Sequence, residues 1–324
     1  MKRSLFSQSS LALLVLSAAA LTACNNQSAQ TPASDSNTAA SGTTTAATTD
    51  TLTKIKDSGV VNLGVRDSSG LGFSIGSGKY VGFHTEMAER IVDDLSKQLG
   101  KPLKINYQVI TSQNRIPLLQ NGTIDFECGS TTNNTARQKD ADFAVTSYVE
   151  EVRLATRANS GINGIKDLNG KTVATTTGTT SVQHLRKNKL AQNINFNEVM
   201  GKDHAESFLL LETGKADVFV MDSSILAANI ARARNPKDFK IVGEVLSVEP
   251  IACMLPKGDA AFKEAVDNSI KRQIQDGSLE ALYNKWFMQP IPPNNTTLNL
   301  PLSESTKAAW TNPNNKPAEE YAQQ

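Results

Sequence analysis

The sequence has few of the residues from which metal and cofactor sites are usually built. Its 324 residues include three histidines and three cysteines, and none of these stand at the spacings that bind zinc. The HExxH and GxxxxGK(S/T) patterns are absent as well, which excludes a zinc-protease helix and a phosphate-binding loop of that type. We therefore expect no metal ion and no cofactor.

Neither sign of charge prevails in the chain. It contains 33 basic and 32 acidic residues, for a formal net charge of +1. This balance gives no reason to expect binding to nucleic acid or to an anionic membrane surface. Hydrophobic residues make up 39% of the sequence, an ordinary share for a soluble protein. The length suffices for one large or two modest domains.

Long apolar runs are missing except near the amino end. Leu11–Leu21 follows two basic residues and is too short to be a stable membrane anchor, which is typical of a signal peptide, here residues 1–23. The Leu21–Cys24 segment resembles a bacterial lipobox, in which the cysteine is lipidated and becomes the first mature residue. We therefore expect Cys24 to carry lipid chains that hold the protein at a membrane. An ordinary signal peptide with an incidental cysteine is the alternative.

Residues 24–50 contain almost no large apolar side chain after the cysteine. Ser, Thr, Ala, Asn and Gln dominate this segment, and it cannot bury enough surface to offset the entropy of ordering it. The composition predicts a disordered tether.

Two cysteines remain beyond the tether, Cys128 and Cys253. Export would place them in an oxidising compartment, where an even pair can form a disulfide. A pair of buried free thiols is the alternative.

Strands and helices alternate from residue 60 onward. Residues 60–65, 103–109 and 124–128 are typical of strands, and amphipathic helices separate them. This β-α-β-α-β order predicts a parallel sheet with crossover helices. A similar pattern restarts after residue 148 and predicts a second α/β unit. The Pro- and Asn-rich segment from residue 290 should pack on the surface and end in disorder.

Polar side chains stand where the predicted strands end. In open α/β sheets, ligands bind at the carboxyl ends of the strands, so these side chains are candidates for a binding site. The candidates are Arg66, Ser112, Arg115, Ser130, Thr132, Arg137, Thr179, Thr180 and Asp222. The alternative is that each arginine is a solvated helix residue beside a polar turn.

The chemistry of these candidates indicates a class of ligand. An arginine presents a planar fork of donors that matches a carboxylate. The turn at Gly178–Thr180 begins a predicted helix, whose backbone N–H groups and dipole also suit an anion. Three arginines, one aspartate and several hydroxyls provide sites for two carboxylates and one ammonium group. An acidic amino acid carries these three groups.

The sequence also resembles a known family. The likeness covers about residues 51–313 and is most specific in the stretch TSQNRIPLLQNGTIDFECGSTTNNTARQ, residues 111–138. It extends to Thr177–Ser181, Lys202–His204, Met221–Asp222, Trp286–Phe287 and Pro290–Pro293. These stretches are similar to the bacterial glutamate/aspartate-binding proteins of ABC transporters, among the family 3 extracellular solute-binding proteins.

The resemblance implies a fold, a ligand and partners. The fold would be a two-lobed α/β periplasmic-binding-protein fold of type II, with two hinge strands and a ligand cleft between the lobes. Lobe one would comprise residues 51–147 and 247–288, lobe two residues 148–246, and residues 289–324 a carboxy-terminal extension. The ligand would be L-glutamate or L-aspartate, and the partners would be ABC permease subunits. The protein would be a lipid-anchored monomer on the periplasmic side of the cell envelope.

The resemblance also implies a disulfide. In this fold the return strand runs beside the strand that ends at Cys128, so we expect Cys128 to be bonded to Cys253.

The resemblance assigns a role to most candidates. Arg137, helped by Thr132 and Thr180, would bind the α-carboxylate, Ser130 and Asp222 the α-ammonium, and Arg66, Ser112, Arg115 and His204 the side-chain carboxylate. Without the resemblance, a lone histidine early in a helix such as His204 would be a surface or capping residue. We expect that simpler role for His84 and His184.

Two other functions are compatible with this fold. One is an enzyme such as a cyclohexadienyl or arogenate dehydratase, which needs a general acid near a ring substrate. An arginine-rich pocket without a spare apolar wall argues against it. The other is a sensor or adhesin. Permease and ATPase genes next to the gene for this protein would argue against that function.

Overall fold

A computed structural model describes residues 50–321 of the protein. The predicted signal peptide, the predicted lipidation site at Cys24 and residues 24–49 of the predicted tether lie outside the described residues. Within residues 50–321, no helix is both long and apolar enough to cross a membrane.

Strands and helices alternate along the described part of the chain, as the sequence predicted. The first half contains α1 (Thr51–Ser58), β1 (Val60–Val65), β2 (Phe73–Ser74), β3 (Tyr80–Val81), α2 (Phe83–Leu99), β4 (Lys104–Val109), α3 (Arg115–Gln120), β5 (Phe126–Glu127), β6 (Asp142–Phe143) and β7 (Tyr148–Arg157). The second half contains β8 (Thr172–Thr176), α4 (Thr180–Ala191), β9 (Asn197–Gly201), α5 (His204–Glu212), β10 (Val218–Asp222), α6 (Ser223–Arg232), β11 (Phe239–Ile251), β12 (Met254–Leu255), α7 (Ala260–Gln275), α8 (Ser278–Phe287), α9 (Glu304–Thr311) and α10 (Ala318–Tyr321).

The strands form two five-stranded sheets and one small hairpin. The first sheet has the order β4-β1-β5-β12-β6, and β1 pairs in parallel with both β4 and β5. The second sheet has the order β11-β7-β10-β8-β9, and β8 pairs in parallel with β9 and β10. In each sheet the parallel strands point their carboxyl ends to one edge, where loops can carry a binding site.

Helices cover these sheets because their apolar residues recur at helical spacing. In α2, Met87, Ile91 and Leu95 are buried on one face. The helix ends at Gly100, whose φ of 62° is left-handed and suits a residue without a side chain. In α5, the side chain of Asp203 accepts a hydrogen bond from the backbone N–H of Glu206 and so caps the helix.

The chain passes between the two sheets along β7 and β11, which pair with each other in antiparallel fashion. In the sequence, residues 240–245 and 251–255 are two strand candidates, with Pro250 and Pro256 as breakers. The second candidate contains β12, but Pro250 does not break the first, since β11 is continuous from Phe239 to Ile251. The strand lies at the edge of its sheet. A proline is tolerated there because the N–H that it lacks would not be needed to pair with another strand.

Cys128 and Cys253 form the expected disulfide, which confirms that prediction. Cys128 directly follows β5, and Cys253 directly precedes β12, which pairs with β5 at Met254 and Glu127. The bond closes a sequence separation of 125 residues. It anchors the start of the loop that carries Ser130 and Thr132.

The carboxy-terminal extension contacts the rest of the described chain. Trp310 is only 8% exposed, packs edge-on against Tyr283 and donates from its indole nitrogen to the carbonyl oxygen of Ser147 at 2.9 Å. The helical turn α10 is ordered, although the last ten residues were expected to be disordered. Composition alone misled us here, because Glu319 of this turn accepts hydrogen bonds from the backbone and hydroxyl of Thr135.

Candidate functional site

The predicted ligand residues gather between the two sheets, near the carboxyl ends of the strands. Nine are buried, namely Arg66, Ser112, Arg115, Ser130, Thr132, Thr179, Thr180, His204 and Asp222, and Arg137 is half-buried. A hydrogen bond crosses the cleft from Arg66 to His204, and the hydroxyl oxygens of Thr132 and Thr180 approach each other to 3.4 Å. Thr179 lies in the same region, but its hydroxyl donates to the carbonyl oxygen of Thr176 rather than to another candidate.

Two glycines allow the walls of the cleft to meet. A Cβ atom on Gly70 would stand 2.3 Å from the carbonyl oxygen of Ser224 on α6. Gly178 has a φ of +81°, and a Cβ atom there would stand 2.8 Å from the backbone nitrogen of Gln113. Each contact joins a loop of the first sheet to an element of the second sheet. The structure therefore has the cleft closed.

Arg66 is oriented by two partners at one end of the cleft. Its Nη2 donates to Ser112 Oγ and to His204 Nε2, both at 2.8 Å. Burial and the nearby Arg66 and Arg115 hold the pKa of His204 well below its usual value, so the ring is neutral. Since Nε2 accepts from an arginine, the ring proton is on Nδ1 and donates to Thr176 Oγ1 at 3.1 Å. His204 thus positions Arg66 instead of offering a proton to a ligand.

Two arginine donors at this end lack an acceptor. Arg66 Nη1 and Arg115 Nε are buried, and no residue between 50 and 321 accepts a hydrogen bond from either. Burial and the charge of Arg115 lower the pKa of Arg66 to about 10, which still leaves it charged at neutral pH. An unpaired buried donor on a charged group is costly, so this pair of nitrogens suits an anionic ligand group.

Arg115 also supports the neighbouring loop. Its Nη1 donates to the carbonyl oxygen of Ser130 at 3.2 Å and to the hydroxyl of Thr131 at 2.7 Å. The loop then places Thr132 and leads to Arg137. Arg137 donates from Nη1 to the carbonyl oxygen of Thr132 at 2.9 Å and lies beside the turn that begins α4, with Nη2 3.4 Å from the carbonyl oxygen of Gly178. Burial and the charge of Arg115 lower the pKa of Arg137 to about 9.

The cleft also contains acidic residues that the sequence analysis missed, namely Glu127, Glu150 and Glu249, none of which has exposed surface. Glu127 lies beside the arginines, because the Thr131 hydroxyl that donates to it accepts from Arg115, whereas Glu150 and Glu249 lie at the other end of the cleft. A glutamate within the apolar run 124–128 was a visible signal for Glu127, because charged residues are rarely buried without partners. Glu150 and Glu249 lie opposite each other on β7 and β11, where like charges repel. Across the described chain, no group of three acidic, histidine or cysteine residues is arranged to hold a metal ion.

Asp222 lies beside Glu150 and Glu249, at the end of β10. Its Oδ1 is buried and accepts no hydrogen bond from any residue in the described part of the chain. Burial and the charges of Glu150 and Glu249 hold the pKa of Asp222 well above its usual value. Burial likewise raises the pKa of Glu150 to about 7, although Ser223 and Ser224 donate hydrogen bonds to it. A cationic ligand group would remove this repulsion.

Glu249 is satisfied by groups from both sides of the cleft. Its Oε2 accepts from Thr132 Oγ1 at 2.5 Å and from Thr180 Oγ1 at 2.8 Å, and its Oε1 lies 2.7 Å from His184 Nε2. Burial would raise the pKa of Glu249, but the hydrogen bonds from His184, Thr132 and Thr180 outweigh burial and lower it. The carboxylate is therefore charged.

The predictions for the other two histidines were wrong. His84 is fully buried, with Nδ1 2.6 Å from the carbonyl oxygen of Gly129 and Nε2 2.9 Å from Ser147 Oγ. Burial lowers its pKa to about 4, so a neutral ring ties α2 to the ligand loop. His184 lies within α4 and contacts Glu249 instead of capping the helix. Both pairings join distant parts of the sequence, which local pattern does not reveal.

Comparisons with known proteins show which proteins this chain is similar to. The sequence profile of the bacterial extracellular solute-binding proteins, family 3, matches residues 61–289. The L-glutamate/L-aspartate-binding protein of Pseudomonas aeruginosa is 44% identical over 276 residues, which cover 84% of this chain and 91% of that protein. The glutamate/aspartate import solute-binding protein of Escherichia coli is 44% identical over 269 residues, or 82% of this chain and 89% of that protein. Among solved structures, a cysteine-binding protein from Campylobacter jejuni is similar with a TM-score of 0.64 and 25% identity, over 73% of this chain and 92% of that one.

Proposed function

Because the chain belongs to the bacterial extracellular solute-binding proteins of family 3, we propose that it binds L-glutamate or L-aspartate and delivers it to an ABC permease. Its fold is the predicted type II periplasmic-binding-protein fold, in which two lobes close on a ligand. Relatives named for glutamate and aspartate binding support the choice of ligand. The protein acts as a carrier and not as an enzyme.

One observation carries the proposal. Buried charged atoms that lack partners within residues 50–321 include Arg66 Nη1 and Arg115 Nε at one end of the cleft and Asp222 Oδ1 at the other. Glu127 Oε2 at the arginine end also lacks a partner, but the other oxygen of this carboxylate accepts from Thr131. Leaving such groups unpaired costs free energy, so the cleft favours a ligand that carries an anion toward the arginines and a cation toward the aspartate. A dicarboxylic amino acid has both groups and a second carboxylate for Arg137.

The side-chain carboxylate of the ligand would bind at the arginine end. Arg66 Nη1 and Arg115 Nε supply charged donors there. Ser112 Oγ already accepts from Arg66, so its own proton is available to the ligand. His204 contributes by holding Arg66 in place. In this assignment, Arg66, Ser112 and Arg115 bind the side-chain carboxylate directly, and His204 positions Arg66.

The α-carboxylate would bind Arg137 and the first turn of α4. The initial N–H groups of a helix have no partner within the helix, and the helix dipole favours an anion there. The hydroxyls of Thr132 and Thr180 donate to Glu249, so they cannot also donate to this carboxylate. Their oxygens still accept, and so we assign them with Asp222 and Ser130 to the α-ammonium group. Thr179 contributes by shaping the turn.

The remaining parts of the proposal concern the whole protein. Lobe one comprises residues 51–147 and 247–288, and lobe two comprises residues 148–246, with β7 and β11 as the hinge. A lipid-bearing Cys24 holds the monomer on the periplasmic side of a membrane, where it meets the permease. The lipobox resemblance supports the anchor.

Calorimetric titration of the purified protein with each of the twenty amino acids tests the proposal. We expect tight binding of L-glutamate and L-aspartate and much weaker binding of the others. Failure to bind either acidic amino acid would overturn the proposal. Turnover of prephenate or arogenate in a parallel assay would instead support a dehydratase.

A further inference from the structure

Glu249 is a buried carboxylate that makes no direct contact with the ligand in the proposed function. It lies on β11, the strand that returns from lobe two to lobe one, and has no exposed surface. Its two oxygens receive three partners, which are Thr132, Thr180 and His184. Burying a charge is costly, so a fully buried carboxylate with three polar partners has a reason to be there.

The three partners come from opposite sides of the cleft. Thr132 belongs to the loop after β5 of the first sheet, whereas Thr180 and His184 belong to α4, which follows β8 of the second sheet. The Thr132 and Thr180 hydroxyls are 3.4 Å apart and share the same oxygen of Glu249. Separating the two walls must break at least one hydrogen bond to this charged group.

The shared oxygen also fixes the direction of both hydroxyls. Each threonine hydroxyl has one proton, and both protons point to Glu249 Oε2. The remaining lone pairs can then only accept. An ammonium group needs acceptors, so the carboxylate prepares two of them before the ligand arrives.

We propose that Glu249 is a positioning residue that latches the closed cleft, joining Thr132 of lobe one to Thr180 and His184 of lobe two and turning both threonine oxygens toward the ligand's ammonium group. The inference rests on the proposed function for the identity of that group. The latch acts on the amino-acid core, which all amino acids share. It therefore sets affinity and residence time and leaves selectivity among side chains unchanged.

The test compares Glu249→Gln with Glu249→Asp and with the control Glu151→Gln. Glu151 lies on the other hinge strand and pairs at the surface with Arg153 at 3.3 Å, so its charge is removed without touching the latch. Wild type is first titrated with all twenty amino acids, and the variants are then titrated with the one that it binds most tightly. Stopped-flow fluorescence separates association from dissociation, and thermal unfolding without ligand reports folding.

We expect Glu249→Gln to weaken binding by about 10- to 100-fold, mostly through faster dissociation, because it replaces a charged acceptor with a neutral one. Glu249→Asp should lie between, since its shorter side chain keeps the charge but does not reach all three partners. Glu151→Gln should match wild type. The factor lost should be the same for glutamate and for any weaker amino-acid ligand.

Three outcomes overturn the latch. In the first, the Glu249→Gln variant binds as tightly as wild type. In the second, its affinity falls only through a slower association rate. In the third, the difference in affinity vanishes once the proteins are compared at equal folded fraction. Wild-type protein that ignores glutamate and aspartate but binds another amino acid would refute the proposed function alone. The latch would then be judged by the variants with that other ligand.

Discussion

The two ends of the proposed ligand site are built on different electrostatic principles. The distal end consists of Arg66, Ser112, Arg115 and His204, and the amino-acid end consists of Thr132, Arg137, Thr180, Asp222 and Glu249. The distal end holds cationic donors, a neutral histidine that accepts from Arg66, and the buried Glu127 beside the arginines. The amino-acid end mixes an arginine with buried acids.

Because their charges differ, we expect the amino-acid end to determine affinity for all amino acids and the distal end to determine selectivity among side chains. A surface of mixed sign matches the ammonium and carboxylate that every amino acid carries. A surface of one sign selects a side chain of the opposite charge, and it rejects a neutral analogue because its buried donors stay unpaired. Damage to the amino-acid end should therefore weaken all ligands together, and damage to the distal end should weaken acidic ligands most.

The largest effect should come from Arg137→Ala at the amino-acid end. It removes the charged partner of the carboxylate that all amino acids share, and leaving that carboxylate buried and unpaired costs about 2 to 5 kcal/mol. Calorimetry with glutamate and with glutamine should show equal factors of loss. The control is Arg186→Ala, which removes an arginine that pairs at the surface with Glu198. A variant that binds glutamate within about threefold of wild type contradicts the assignment.

Glu150→Gln should change how stability depends on pH at the same end. Burial raises the pKa of Glu150 from 4.5 to about 7, so between these values the folded protein keeps a proton that the unfolded chain releases. The free energy of unfolding of ligand-free protein therefore falls as pH rises through this window, by about 3 kcal/mol for this group. The variant should lose that part of the slope.

Urea unfolding at about pH 4.5 and pH 7.5 measures this change, with Glu151→Gln as the control for a half-exposed glutamate on the same strand. Equal slopes in Glu150→Gln and wild type would show that Glu150 is charged in the folded protein throughout this pH range, with no raised pKa. The acids at this end would then not share the repulsion that a ligand ammonium is expected to relieve.

Asp222→Asn should have a somewhat smaller effect and one that depends on the ammonium group. Losing a charge-assisted hydrogen bond costs about 1.5 to 3 kcal/mol, so glutamate should bind about 10- to 100-fold more weakly. Glutarate has the two carboxylates of glutamate but no ammonium, and the variant should bind it no more weakly than wild type does. Equal losses of affinity for glutamate and glutarate would show that Asp222 does not bind the ammonium group.

The same comparison shows what the sequence could reveal. The distal end was accessible to prediction because Arg66, Ser112 and Arg115 follow strands whose apolar runs are visible, and parallel strands bring their ends together. The hydroxyl roles at the amino-acid end were not accessible. They depend on Glu249, whose partners Thr132 and Thr180 are 117 and 69 residues away in the chain.

His84 and His184 were expected to be surface or capping residues, and Glu150 was not singled out, for the same reason. Burial of a charge is decided by its partners, and the partners of Glu150, His84 and His184 become visible only in the folded chain.

The ratio of glutamate to glutamine affinity tests the two-ended site most directly. Glutamine keeps the shape of glutamate but turns an NH₂ group toward arginine donors, so wild type should prefer glutamate by about a thousandfold, or roughly 4 kcal/mol. Competition calorimetry on wild type and on Arg66→Gln gives both ratios, and Arg186→Gln is the matched control. We expect Arg66→Gln to narrow the ratio by at least about tenfold, mainly by weakening glutamate. Wild type that binds the two amino acids within about tenfold, or a variant that loses both equally, would contradict the division of the site into a distal end and an amino-acid end.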